Sequence, residues 1–160
     1  MALSKFASAA LLGAALLAGP ALAEPAETAK AAGKDASWLF IQTAQQVQFD
    51  GKMLTLKNVN PSVVMFTDRP ARMAEAIPTA TFLKGWDKGG KNSFKSDPPN
   101  AGLTTLVDGK LQTATVELSQ PQLDGTTLTY QARVLEGTPP QAGGPSSLFI
   151  DGCTWWDPRC

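Results

Sequence analysis

The chain has 160 residues, 14 basic and 14 acidic, and no histidine. A formal charge of zero, with its lysines and arginines scattered and not drawn into a stripe, leaves no electrostatic case for nucleic acid or an anionic membrane surface. The missing histidine removes the usual general base near neutral pH, the Ser-His and Cys-His nucleophile pairs, and the commonest transition-metal ligand.

Lys5 is the only charge before Glu24, and the stretch from Phe6 to Gly19 is almost entirely Ala, Leu and Gly. Pro20-Ala21-Leu22-Ala23 then supplies the small-x-small pattern that precedes signal-peptidase cleavage. The apolar run is well short of the roughly 20 residues needed to cross a bilayer. Residues 1–23 are therefore expected to be a signal peptide, and the product periplasmic or secreted, with no membrane association after cleavage. Residues 24–36, EPAETAKAAGKDA, carry no bulky apolar side chain and read as a flexible leader.

The folded domain is expected over residues 37–151, opening with Trp38-Leu39-Phe40-Ile41, a run of the kind that buried strands show. Three Asp-Gly pairs, at Asp50-Gly51, Asp108-Gly109 and Asp124-Gly125, each mark a tight hairpin. The first joins Val47-Gln48-Phe49 to a strand beginning at Met53, and the second joins residues 103–107 to 111–118. The third leads into residues 127–135, where Leu128, Tyr130, Ala132 and Val134 alternate with polar residues. Residues 62–66, SVVMF, suit a central strand, and residues 147–150, SLFI, a closing one. Only residues 71–76 and 79–86 are candidates for helix, the first bracketed by Pro70 and Pro78, the second with Thr79 placed to cap it. The expectation is mainly β: a single antiparallel β-sandwich or small barrel with one or two short helices.

Three places carry candidate chemistry. After the strand ending at Phe66 comes Thr67-Asp68-Arg69-Pro70-Ala71-Arg72. Asp68 can cap the turn and draw an arginine back onto it. Alternatively, Arg69 and Arg72 can form a fork for a carboxylate or phosphate. Asp97-Pro98-Pro99-Asn100 is a stiff loop, because each proline fixes its own φ and restrains the residue before it. It serves either as a packed connector or as a preorganised recognition loop.

These segments, with Trp86 and Ser93-Phe94, resemble a family of small, mostly secreted bacterial proteins built around F-[ST]-D-R-P-x-R, a downstream W, and S-F-x-x-D-P-P-N-A. The likeness runs over about residues 38–151 and implies a shared fold and surface, but no reaction. Outside it lies the tail, residues 152–160, where Cys153 and Cys160 flank Trp155 and Trp156. In an oxidising compartment these cysteines favour a disulfide over a reactive thiol. Tryptophan beside arginine is also a recurrent interface anchor.

No cofactor and no metal site is expected; residues 87–93 hold two lysines and lack the spacing of a calcium loop. No catalytic pair of carboxylates is marked out. The sequence therefore points to an exported, non-catalytic binding or accessory protein. Its expected partner is a protein or a small anionic ligand, recognised through Asp68, Arg69, Arg72, Trp86, Asp97, Asn100, Trp155 and Trp156. A secreted hydrolase inhibitor using the Cys153–Cys160 tail and a histidine-free enzyme using carboxylates are the alternatives. Oligomeric state is not encoded in any visible motif.

Overall fold

The protein is described by a computed structural model covering residues 38–69, 72–86, 88 and 93–152. The expected signal peptide, leader and cysteine-flanked tail lie outside these residues. In chain order the elements are β1 (Trp38–Phe49), β2 (Met53–Val59), β3 (Ser62–Thr67), β4 (Ala74–Pro78) and α1 (Thr79–Trp86). There follow β5 (Asn100–Val107), β6 (Lys110–Asp124), β7 (Thr127–Gly137), β8 (Ala142–Gly143) and β9 (Ser146–Asp151).

All three Asp-Gly pairs form hairpins, but with two different turns. At Asp108-Gly109 both central residues have positive φ, 50° and 74°, the type I′ arrangement that asparagine, aspartate and glycine tolerate. At the other two, glycine is the first central residue and aspartate precedes the turn: Gly51 has φ 97° and Gly125 has φ 57°. Asp50 Oδ1 there accepts from the Lys52 and Met53 amides at 2.9 and 2.7 Å. Those two bonds, Met53 first, hold its carboxyl below the ordinary value.

The strands make one antiparallel sheet that closes on itself. Strand β1 pairs β9 over residues 39–44 and β2 over residues 44–49, and the path β2-β7-β6-β5-β9 completes a six-stranded ring. Closure removes free edges from the ring. Strand β3 continues outward from the first half of β1, with β4 beyond it. The closing role expected for residues 147–150 belongs to β9, which sits between β5 and β1.

The interior follows the period of two. Phe40, Leu54, Leu118, Leu128, Tyr130 and Leu148 are fully buried. In β7 the alternation holds through Ala132, whereas Val134 is 37% exposed. The opening Trp38-Leu39-Phe40-Ile41 run is not buried throughout. Trp38 and Phe40 face the core, while Leu39 and Ile41 are half-buried on the outside.

Two helical expectations met different fates. Residues 79–86 are helical as expected, but the Thr79 hydroxyl donates to the Asn60 carbonyl at 2.8 Å and does not serve as a helix cap. The described part of the other candidate, residues 72–76, contains no helix: Ala74–Pro78 is strand β4, paired with β3 from Phe66–Ala74 to Ser62–Pro78. The partner's ladder overrides a weak local preference, and Pro78 is tolerated because it ends a strand with no neighbour beyond it.

One end of the barrel is plugged by aromatic rings. Phe82 and Trp86 of α1, with Phe94 from the following loop, pack on Phe40 and Tyr130. The Trp86 ring centroid lies 4.7 Å from that of Phe94 and 5.4 Å from that of Tyr130.

Candidate functional site

The sheet registers bring separate sequence segments to the plugged end. Trp38 pairs with Thr67, Leu39 with Asp151, Ala101 with Ile150 and Asn100 with Glu117. The β3–β4 hairpin, the loop ahead of Asn100 and the end of β9 therefore share one rim. About 15 Å of sheet, three strand spacings, separates the strand carrying Phe66 from the strand carrying Asn100.

The hairpin is held by a residue the sequence reading passed over. Buried Thr67 closes it from both sides: its amide donates to the Met73 carbonyl and its hydroxyl accepts from the Met73 amide, each at 2.9 Å. The Asp68 carboxylate accepts from the amide of its neighbour Arg69, at 2.6 Å. Its carbonyl also receives the Arg72 amide at 3.3 Å, and Arg72 sits at φ 52°. Asp68 does not draw an arginine back. Among the described residues neither Arg69 nor Arg72 has an ion pair, and both are exposed. Arg69 and Arg72 are thus both exposed beside a hairpin that Thr67 closes.

The second segment is equally anchored. Residues 93–97 make a tight turn, with the Ser96 and Asp97 amides donating to the Ser93 carbonyl at 2.9 and 2.8 Å. Pro99 is buried, and its carbonyl accepts from the Leu118 amide at 2.9 Å. Asp97 and Asn100 are left exposed on either side. The loop is thus both packed connector and presented surface, divided by residue.

Trp86 is a correction. It was expected on the recognition surface, but its side chain is only 2% exposed and forms the centre of the plug. A tryptophan on a short amphipathic helix beside a β core finds its largest gain in burial. One groove lies between Val47, Leu106 and Gly143. Trp155, Trp156, Cys153 and Cys160 lie outside the described residues.

The rim continues on the outer face of the sheet as two rows. Phe66, Leu39 and Asp151 stand side by side; the next row holds Val64, Ile41 and Phe149. Val64 is 43% and Phe149 47% exposed, so this face is apolar and open among the described residues. The sequence reading missed it, because a continuously apolar run does not reveal which alternate residues face outward. Further round, Glu117 and Arg133 form a two-point ion pair, with contacts of 2.5 and 3.1 Å.

Among the described residues, the two carboxylates with shifted proton affinity move downward, Asp50 by its turn amides and Glu117 by the Arg133 hydrogen bond. A general acid needs the opposite shift. Among the described residues no group of three or more acidic or cysteine side chains is placed to hold a metal ion. Comparison with protein families, curated proteins and solved structures found no match.

Proposed function

We propose that this chain is an exported, non-catalytic accessory protein that recognises a partner protein through the rim of its barrel. The reading rests on one observation: an arginine hairpin and a proline-stiffened loop, far apart in sequence, stand exposed on the same rim. Each is anchored to the barrel by hydrogen bonds, the hairpin through buried Thr67 and the loop through buried Pro99. Prior anchoring lowers the entropy that binding must overcome. A span of about 15 Å between the two segments suits a protein surface better than a small anion, since a typical interface covers roughly 800 Å² per partner. Arg69 and Arg72 would engage carboxylates of that partner in two-point fashion.

The test is saturable binding by the immobilised mature chain to an exported-protein fraction, read beside thermal melts. R69A/R72A should melt like the unaltered protein and bind at least tenfold more weakly. Undiminished binding by that variant would remove the hairpin from the recognition surface. Absence of any saturable binding would remove the accessory role.

A further inference from the structure

Strand β4 ends the sheet path, and among the described residues β3 is its only strand partner. The ladder fixes which of its backbone groups are taken. In an antiparallel pair, hydrogen-bonded and non-bonded residue pairs alternate. The Thr67 amide donates to the Met73 carbonyl and the Thr79 amide to that of Pro61, so the bonded pairs fall on odd-numbered residues, Met65–Glu75 and Val63–Ile77 among them. The N–H and C=O of Ala74 and Ala76 therefore point away from β3, and both residues are exposed. Pro78 adds a carbonyl but no donor.

Natural sheets guard such an edge with charged side chains or bulges. Here the outward pairing positions are alanines, and β4 runs along β3 in unbroken register. A second copy of the chain fits this edge poorly. A two-fold pairing centred on Glu75 sets two carboxylates directly opposite at a non-hydrogen-bonded position, where side chains come closest. Centred on Ala76, it sets Ala74 against Pro78, whose missing N–H leaves the Ala74 carbonyl unmet. Centred on Ala74, it needs the Arg72 amide, which already donates to the Asp68 carbonyl at 3.3 Å. A strand of different sequence escapes all three defects. At the turn end of the edge stand Arg69 and Arg72, both exposed, which favours an acidic residue at that end of the incoming strand.

We infer that an extended segment of the partner protein adds to the sheet as a strand along β4. Its backbone meets the four groups of Ala74 and Ala76, and an acidic residue near one end meets Arg72. Main-chain hydrogen bonds at alternate residues select an extended backbone, and the carboxylate sets which end lies at the turn. The inference rests on the proposed reading in taking the occupant to be a protein, and it is tested with peptides so that either can fail alone.

A display library of random heptapeptides, panned on the folded mature chain, supplies the probe. Selected peptides should carry an acidic residue near one end, and N-methylation should abolish binding at alternate residues while sparing those between. Ala76→Pro removes an outward N–H and leaves the bonds to β3 in place, as proline on an edge strand can. It should melt like the unaltered protein and bind the selected peptide at least tenfold more weakly. Arg72→Ala should weaken the acidic peptide at least fivefold and leave binding of its glutamine-substituted form unchanged. Undiminished binding by folded Ala76→Pro overturns the inference, as does a library that yields no binder. A dimer in sedimentation that Ala76→Pro dissociates also overturns it, since a second copy would then hold the edge. Should Ala76→Pro not fold, the N-methyl series decides: loss without a period of two overturns strand addition. In each of these failures the proposed rim recognition still stands if R69A/R72A weakens capture from the exported-protein fraction.

Discussion

Tyr130 is the single tyrosine of the chain and sits fully buried inside the barrel, its hydroxyl without a hydrogen-bond partner among the described residues. A buried, unpaired hydroxyl costs about 1–3 kcal/mol, whereas its ring contributes packing against Trp86. Tyr130→Phe keeps the ring and removes the penalty, so it should stabilise the protein by about 1 kcal/mol, or about 4 °C. Burial also pushes the phenol's proton affinity well up. The sign follows directly. The unfolded phenol ionises above about pH 10 while the folded one stays protonated, so stability falls as pH rises past that point. At about pH 11 the loss is about 1.4 kcal/mol, and Tyr130→Phe should be free of it. Urea melts of both proteins at neutral and alkaline pH measure the difference, with tyrosinate absorbance following the one residue. A normal tyrosinate titration near pH 10 with the fold intact would refute the argument. So would a Tyr130→Phe variant less stable by more than about 0.5 kcal/mol, because the hydroxyl would then have a partner.

Three further outcomes follow from the same structure. Trp86→Ala should cost about 3–5 kcal/mol in denaturant melts, the range for truncating a buried aromatic; a change within about 0.5 kcal/mol would return Trp86 to the surface. Gly152→Ala should destabilise by about 1–3 kcal/mol, since it combines an unfavourable φ with a collision against Phe94, and the measured melt should fall accordingly. Asp50, whose carboxyl is held low by its turn amides, contributes stability that is present above the ordinary carboxylate range and lost as pH falls through its folded value. Asp50→Asn should therefore flatten the acid limb of the stability curve, measured by melts across that range.

The sequence by itself determined what depends on neighbouring residues. Each Asp-Gly pair carries its turn within four residues, and the absence of histidine is a matter of composition. The β class and the hairpin positions were accordingly legible, as was the alternation of Leu128, Tyr130 and Ala132. The rest was decided by pairings between residues far apart. Leu39 faces outward and Phe40 inward because β1 lies between β9 and β3, and Leu39 meets Asp151 from the other end of the domain. Residues 74–78 are strand only because β3 offers them a ladder, and Trp86 is core only because Phe94 and Tyr130 close around it. Arg72 and Asn100 reach one rim by the same long-range registers. A register of period two assigns a side chain to core or solvent by which partner it meets, and that partner is not written beside it in the chain.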